Sequence, residues 1–270
     1  MPELAEVEYY RKRWNPGLGL RVRSVSLHPQ KRIFRQTDTR LLESALTGAR
    51  LIHSETRGKQ MLFRFSKGGW LGLHLGMTGK LWVGTHDFEA TQHDHLVLSQ
   101  SNQALVYTDP RQFGRVLFHH GSEAPEWWSR LPPDVVSPDF TVAVVEEALR
   151  RHRQAPIKAV LLNQVRFPGL GNWMVDEILW RAGIDPRLRA GRLGEDAAET
   201  LWREIRFVSH EAMKIVGKDF SDPPRSWFYH QRWDGRGRCP KHREPLSRGN
   251  VGGRTTAWCP RCQPRNRKSR

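Results

Sequence analysis

All three cysteines of the chain fall in one short segment near the C-terminal end, together with a histidine. The segment reads Cys239-x2-His242, then a spacer of 16 residues, then Cys259-x2-Cys262. Each two-residue turn directs its two ligands at one point, and the spacer is long enough for a β-hairpin. Tetrahedral zinc requires four such ligands and accepts three thiolates with one imidazole. The spacing therefore predicts a zinc ribbon around one structural Zn ion. The alternative is a chance cluster with unpaired cysteines.

The N-terminus offers a reactive group of a different kind. Removal of Met1 would leave the secondary amine of Pro2 as the N-terminus, close to the carboxylates of Glu3 and Glu6. An α-amino group titrates near ~8, against ~10.4 for lysine, so a useful fraction is unprotonated at neutral pH. Such an amine can attack an aldehyde carbon. Together with a zinc module, it indicates chemistry on a sugar aldehyde in DNA.

The charge balance of the chain points to an anionic partner. Its 44 Lys and Arg residues outnumber 28 Asp and Glu residues, for a net charge of +16. A surplus of this size attracts a polyanion, for which DNA and an acidic membrane surface are the two candidates. No long apolar run predicts a membrane span, and no signal peptide follows Met1. Cysteines grouped for metal rather than disulfides are typical of a reducing compartment. We therefore expect a monomeric cytoplasmic protein that binds DNA.

Hydrophobic periodicity divides the chain into a β-rich part and a helical part. A helix is predicted for residues 3 to about 14, and alternating apolar residues between 21 and 120 predict an antiparallel sandwich or barrel. The predicted linker is Leu131-Pro132-Pro133-Asp134. The helices predicted after it cover about 138–151 with Ser137 as N-cap, a segment starting near Pro156, 172–182 ending at Gly183, and 195–216 ending at Gly217.

Two loops are candidates for contacts with nucleic acid. Gly169-Leu170-Gly171-Asn172 precedes a predicted helix, where glycines let the backbone approach a phosphate and the helix end offers free N–H groups. The commoner alternative is a plain turn. The loop 107–114 presents Arg111 and Phe113 on one side, a pair that can wedge a base step and bond the orphaned base. The alternative interpretation of this loop is a plain turn, with Phe113 in the core and Arg111 paired with an acid.

Two further polar features have weaker signals. His93 and His95 are next but one to each other on a predicted strand, so both are expected on one face. They are read as half a metal site or, more readily, as a phosphate contact. Lys59 precedes a predicted strand, and a lone lysine is usually solvated surface.

These motifs, in this order, resemble the formamidopyrimidine-DNA glycosylase/endonuclease VIII family of bifunctional base-excision repair enzymes over essentially the whole chain. The resemblance implies an α+β multidomain fold. Its parts would be an N-terminal helix with a two-layer antiparallel β-sandwich (1–130), a helix–two-turn–helix domain (131–226), a zinc finger (227–263) and a basic tail (264–270). The motifs that carry it are Pro2-Glu3-Leu4-x-Glu6-Val7-Glu8, Arg57-Gly58-Lys59, His74 to Gly79, His93-Asp94-His95, Asp109-Pro110-Arg111-x-Phe113-Gly114, Gly169-x-Gly171-Asn172 with Asp176-Glu177, and Gly253-Arg254-Thr255.

The resemblance also implies catalytic roles. Pro2 would attack the deoxyribose C1′ and form a Schiff base, Glu3 would donate a proton to the sugar oxygen, and Lys59 would contact a phosphate and assist acid–base steps. Glu6 and Glu177 would support the site. Arg254, on the finger, would hold a phosphate and act in the second elimination.

For DNA binding, the resemblance implies that Met77, Arg111 and Phe113 fill the gap left by a flipped base. The remaining DNA contacts would come from His93, Lys158 and Asn172. An enzyme of this kind would act in the bacterial cytoplasm, at the nucleoid, on damaged double-stranded DNA.

The chain departs from the family pattern after the long predicted helix. Gly217-Lys218-Asp219-Phe220 stands where family members carry a longer Gly/Thr-containing loop that folds over the everted base. Smaller departures are Ala5, Gln112, Trp173-Met174 and His242. The leading hypothesis is a bifunctional glycosylase and abasic-site lyase. The alternatives are an abasic-site lyase with little glycosylase activity, because the short loop would leave the base pocket incomplete, and a non-catalytic zinc protein that binds DNA.

Overall fold

The computed structural model describes residues 1–233 and 235–265, and the chain forms two compact units, Met1–Leu131 and Pro132–Arg270. Most of the predicted basic tail lies outside the described residues. Within the described ranges, no helix is both long enough and apolar enough to cross a membrane.

The first unit contains eight strands in two antiparallel sheets of four. One sheet has the order β1-β6-β7-β5 and the other β2-β3-β4-β8. The strands are β1 Ser24–Leu27, β2 Leu51–Arg57, β3 Gln60–Phe65, β4 Gly69–His74, β5 Lys80–Thr85, β6 Asp94–Ser99, β7 Gln103–Thr108 and β8 Arg115–His120. Its helices are α1 Leu4–Lys12, α2 Thr39–Leu46 and α3 Glu126–Ser129.

Alternation of apolar side chains explains how the sheets face one core. Met61, Phe63 and Phe65 on β3 are almost fully buried in the cluster that also holds the inner residues of the other sheet. Trp14, which follows α1, packs on Phe63 and donates its indole N–H to the Val106 carbonyl at 3.2 Å. The N-terminal helix is thereby fixed to the sandwich.

Helix α2 was not predicted, since the whole of 21–120 was expected to be β. Asp38 caps it, because its carboxylate accepts from the backbone N–H of Arg40 and Leu41 at 3.0 and 3.1 Å. Leu42 and Leu46 are fully buried and lie one turn apart. The cap and this spacing were visible in the sequence but were outweighed by the surrounding strand pattern.

The second unit is helical and ends in a two-stranded antiparallel hairpin. The helix α6 has the predicted bounds, and Gly183 ends it with a left-handed φ of 64°. The elements are α4 Val142–Arg151, α5 Ile157–Leu161, α6 Asn172–Ala182, α7 Ala197–Asp219, β9 Ser247–Val251 and β10 Arg254–Trp258. The predicted α+β class, with sandwich, helical region and C-terminal hairpin, is confirmed.

Two predicted helix ends are wrong. Ser137 does not cap α4, which begins at Val142 after Thr141, because the Ser137 hydroxyl accepts from the Asp139 N–H at 3.2 Å within a separate turn. Gly217 does not end α7. It is a buried residue inside the helix, which runs on to Asp219 and stops at Phe220 with a φ of 67°.

Candidate active site and nucleic-acid interface

The first residues of the chain lead directly into the N-terminal end of α1. Glu3 is 3% exposed and occupies the N-cap of α1. Its side chain accepts from the Glu6 N–H, and the Glu6 carboxylate accepts from the Glu3 N–H at 3.2 Å, a reciprocal capping box. The partial positive charge of a helix N-terminus disfavours a further cation there. Once Met1 is removed, an amine at Pro2 would stand directly before the capped start of α1.

The direction of α1 brings its start toward the β2–β3 turn. Arg11 donates to the Ser54 hydroxyl at 2.7 Å, and Glu8 accepts from the Thr56 hydroxyl at 3.0 Å. The helix and the strand therefore run antiparallel, and continuing the register toward Glu3 leads to the turn Gly58-Lys59. The start of α1 and this turn consequently lie toward the same end of the sandwich.

Lys59 is not the solvated lysine that its position in the sequence suggested. Arg57 pairs with Gln60 across a two-residue turn in which Gly58 has a φ of 58°, and the Lys59 side chain is only 7% exposed. Burying an ammonium group is costly unless it is paired and hydrogen-bonded, so a lysine is rarely buried without a reason. Its burial agrees with a functional lysine better than with surface.

His74 stands one strand away from that turn, opposite Gln60. Burial, assisted by the charges of Arg115 and Lys59, lowers the pKa of His74 to about 4. Its Nδ1 accepts from the Gly76 N–H at 3.0 Å, as a neutral imidazole can. His74 therefore stays uncharged at neutral pH and fixes the start of the segment that carries Met77.

The three side chains expected to fill the gap left by a flipped base, here called the wedge, are Met77, Arg111 and Phe113. They project from two neighbouring loops. Met77 is 42% exposed and Phe113 is 46% exposed, and the Arg111 guanidinium lies 4.8 Å from the Phe113 ring centroid. The alternative that Phe113 belongs to the core is wrong. An exposed aromatic ring backed by an exposed arginine is available for insertion between bases, although the role itself stays a prediction.

The two histidines near β6 do not share a face. His95 is fully buried, and its Nε2 lies 3.0 Å from the Asp109 carbonyl oxygen. His93 precedes the strand and is half-buried, and the pairing with β7 shifts register between Asp94 and Leu96. This irregularity separates the two rings. Only His93 remains available for a phosphate contact.

In the second unit, the first residue of α6 is bonded to the hairpin. Asn172 donates its side-chain N–H to the Thr255 carbonyl at 2.9 Å, while its Oδ1 has no partner among the described residues. Gly252 and Gly253 form the hairpin tip with φ of 60° and 74°, and the next residue, Arg254, is exposed. Asn172 on α6 and Arg254 on β10 are far apart in the sequence, and the hydrogen bond between Asn172 and Thr255 holds them close together.

Lys158 does not occupy the exposed position expected of a DNA contact. It is fully buried, and its Nζ donates to Asp176 at 2.6 Å and to the Thr255 carbonyl at 3.2 Å. Asp176, also buried, accepts from Arg232 at 3.0 and 2.6 Å. In this arrangement Lys158 links α6 to the hairpin, and its contact with DNA stays a prediction.

Glu177 is likewise buried and held by hydrogen bonds within the second unit. It is fully buried, accepts from Arg181 at 2.7 Å, and accepts from the Tyr229 N–H at 3.1 Å. Burial raises the pKa of Glu177 to about 7, against the lowering influence of Arg181. Its carboxylate anchors the segment after α7, since one oxygen accepts from Arg181 and the other from the Tyr229 N–H.

The predicted metal ligands converge. The candidate ligand atoms of Cys239, His242, Cys259 and Cys262 all lie within 4.8 Å of one another. The Cys239 and Cys262 sulfurs are 3.5 Å apart, close to the ~3.8 Å edge of a tetrahedron with Zn–S bonds of ~2.3 Å. The Trp180 indole N–H lies 3.4 Å from the Cys239 sulfur, as expected of an outer-shell donor to a thiolate. The donor set therefore fits a tetrahedral ion.

Sequence reasoning missed three residues that organise these sites. They are Asp109, Asp176 and Arg232, all of which are buried and bonded. Asp109 and Asp176 stand inside quoted motifs, so an acid within a motif but without an assigned role was the available signal. Arg232 had no signal, because its partner lies 56 residues away along the chain.

Comparison with known proteins gives one consistent result. Residues 1–116 match the model for the formamidopyrimidine-DNA glycosylase N-terminal domain, and residues 131–222 match the formamidopyrimidine-DNA glycosylase H2TH domain. The chain is 33% identical to a formamidopyrimidine-DNA glycosylase of Solibacter usitatus over 98% of this chain and all of that protein.

Solved structures agree with the sequence relatives. The fold is similar to wild-type Lactococcus lactis Fpg (MutM) bound to DNA containing N7-benzyl-Fapy-dG, with a TM-score of 0.88, 28% identity, and coverage of 98% of this chain and all of the other. It is similar to MutM in complex with DNA containing carbocyclic 8-oxo-G, with a TM-score of 0.87 and 29% identity over 98% of this chain and all of that one.

Proposed function

The chain belongs to the formamidopyrimidine-DNA glycosylase family, and on that premise we propose that it is a bifunctional base-excision repair enzyme. It removes oxidatively damaged bases from double-stranded DNA and cleaves the resulting abasic site. The observation that supports the proposal is the direction of α1 along β2, whose capped start at Glu3 leads toward the turn that holds the buried Lys59. Phosphate binding alone would not require Pro2, Glu3 and Lys59 together.

The proposed reaction begins at the amine of Pro2, once Met1 is removed. Its nitrogen attacks C1′ of the damaged nucleotide while the bond from C1′ to the base breaks, and the base leaves with the electron pair and takes up the proton that the amine loses. Glu3 protonates the sugar oxygen as the ring opens. The product is a Schiff base between Pro2 and C1′. Loss of a proton from C2′ then expels the 3′ phosphate, and Lys59 assists these proton transfers. Glu6 holds Glu3 in place through the capping box.

The proposed DNA contacts use both units of the chain. Met77, Arg111 and Phe113 occupy the gap behind the everted nucleotide, which offsets an unstacking cost of a few kcal/mol. Phosphates near the lesion are bound by His93 from the first unit, and by Asn172 and the exposed Arg254 from the second. The proposed domain limits are 1–130, 131–226 and 227–263.

The proposed cofactor is one structural zinc ion on Cys239, His242, Cys259 and Cys262. The converging ligand atoms support it. Zinc supplies no chemistry to the reaction here, and its binding energy is folding energy for a hairpin of only two strands. The zinc ion would contribute to DNA binding only indirectly, by stabilising the hairpin that presents Arg254.

Covalent trapping tests the proposed function. Borohydride added to the protein with abasic-site duplex should reduce the Schiff base to a stable cross-link, and the cross-linked peptide should contain Pro2. The control is the same protein with one residue added before Pro2, which removes the secondary amine and leaves the fold unchanged. Equal trapping of both proteins would refute the assignment to Pro2, and no trapping of either would favour a non-catalytic DNA-binding protein.

One observation favours the second candidate, an abasic-site lyase with little glycosylase activity. Helix α7 continues through Gly217 to Asp219, so these residues cannot form a loop over a base. A panel of duplexes carrying different damaged bases separates the two candidates. Cleavage of abasic DNA without release of any damaged base would favour the second.

A further inference from the structure

Asp109 is a buried carboxylate that none of the roles above uses. It is fully buried where β7 leads into the loop 109–114. Its Oδ1 accepts from the Thr78 hydroxyl at 2.7 Å, and its Oδ2 accepts from the Gly114 N–H at 2.7 Å. One carboxylate therefore bonds the segment that carries Met77 to the loop that carries Arg111 and Phe113.

The backbone of Asp109 is fixed as well. Its N–H donates to the His93 carbonyl at 3.0 Å, and its carbonyl accepts from the Gln112 N–H at 3.1 Å and from His95 at 3.0 Å. Because a carbonyl can only accept, His95 must carry its proton on Nε2. Its Nδ1 is then the acceptor in the 3.4 Å contact with His28 Nδ1. Every polar group of Asp109 is thus engaged.

The two loops also touch through their backbones. Gly76 has a φ of 60°, and a Cβ there would collide with the backbone of Phe113. A Cβ on Gly114 would collide with the Tyr107 hydroxyl and would lie 2.9 Å from the Asp109 carboxylate. Side chains are therefore excluded from the junction, and the carboxylate is the link that spans it.

We propose that Asp109 is a positioning residue that makes Met77, Arg111 and Phe113 a single rigid wedge. The inference rests on the proposed function only for the identity of the ligand, which is a DNA duplex with a vacant or everted position. Asp109 is too deeply buried to contact DNA, so it acts through the loops. The hydrogen bonds of Asp109 should therefore strengthen the binding of duplex DNA that has a gap in its stack to be filled. They should not matter on a single strand, which has no such gap.

Thr78 offers the sharper variant, because it is partly exposed and lies at the edge of the network. Thr78→Val keeps the shape but removes the hydroxyl that Asp109 accepts from, whereas Thr78→Ser keeps the hydroxyl and is the matched control. We expect Thr78→Val to weaken binding to a duplex with a stable abasic analogue about tenfold, which corresponds to ~1.4 kcal/mol. Binding to the same strand without its complement should change by less than about twofold.

A double variant distinguishes wedge positioning from general damage to the fold. If Thr78 acts through the wedge, Thr78→Val should add little on duplex DNA once Phe113→Ala is present. Losses that multiply, equal losses on duplex and single strand, or a Thr78→Ser protein as weak as Thr78→Val would each overturn the proposal. Binding to the stable analogue needs no catalysis. A protein that binds the duplex but gives no borohydride trapping would therefore refute the proposed function and leave the inference about Asp109 testable.

Discussion

Replacement of Asp176 by Asn should destabilise the second unit more than any exposed substitution. The carboxylate accepts from Lys158 at 2.6 Å and from Arg232 at 3.0 and 2.6 Å. Its side chain and that of Lys158 are 0% exposed, and that of Arg232 is 3% exposed. Asparagine keeps the shape but removes the negative charge, so two buried cations lose the carboxylate to which both are bonded.

The size of the effect follows from the burial of all three groups. Breaking a buried ion pair by removing one partner costs about 3–5 kcal/mol, because the remaining charge stays desolvated. We expect Asp176→Asn to lower the free energy of unfolding by about 4 kcal/mol. For a chain of this size, ~1 kcal/mol corresponds to about 2–4 °C in melting temperature, so the loss should be about 8–16 °C.

Urea unfolding followed by tryptophan fluorescence measures this loss. Glu211→Gln is the matched control, because Glu211 pairs with Lys214 at the surface with side chains 32% and 70% exposed, and such pairs contribute less than about 1 kcal/mol. Adding Lys158→Met to Asp176→Asn removes one orphaned cation and should restore part of the stability. If Asp176→Asn is no more destabilising than the control, the buried ion cluster does not hold this unit together.

Three further predictions concern pH, metal and substrate. The pKa of His74 is lowered to about 4 in the folded chain against 6.5 in the unfolded one, so the unfolded state binds the extra proton. About 3 kcal/mol of stability should therefore be lost as pH falls from 6.5 to 4. His74→Gln should flatten that part of the stability–pH curve, and an unchanged curve would contradict the assignment. Elemental analysis should find one zinc ion per chain. The Arg254→Ala protein should bind DNA more weakly but should still contain the zinc ion. In single-turnover assays opposite cytosine, 8-oxoguanine should be excised more slowly than hydantoins, ring-opened purines or oxidised pyrimidines, and equal rates would refute the argument from the short segment.

Local signals were sufficient wherever the structure depends on neighbours in sequence. Helix α6 was predicted with its observed bounds, because the turn before Asn172 and the left-handed Gly183 act within one helical turn. The metal cluster was predicted because ligand pairs three residues apart are themselves local motifs. The end of α7 was not predicted, because Gly217 is buried in a packed helix and packing outweighs the weak helix propensity of glycine.

Contacts between distant residues could not be predicted from one sequence. Asp109 meets Thr78 across 31 positions, and Asp176 meets Lys158 across 18 positions. No periodicity or spacing rule connects such pairs. For the same reason the burial of Lys59, which changes its interpretation from surface to function, became evident only with the fold.

The segment after α7 links the fold to the choice of lesion. Phe220 ends the helix in a left-handed conformation with its N–H bonded to Val216, and Pro223 and Pro224 follow soon after. Proline has no N–H, so the segment offers few backbone donors with which to read the edge of a base. The Pro223 carbonyl is already bonded to His230 at 2.7 Å. Discrimination between two similar bases requires buried polar contacts that the wrong base leaves unpaired. We therefore expect a chain poor in such contacts to select its substrate by how easily the nucleotide leaves the stack, which favours poorly stacked lesions over 8-oxoguanine.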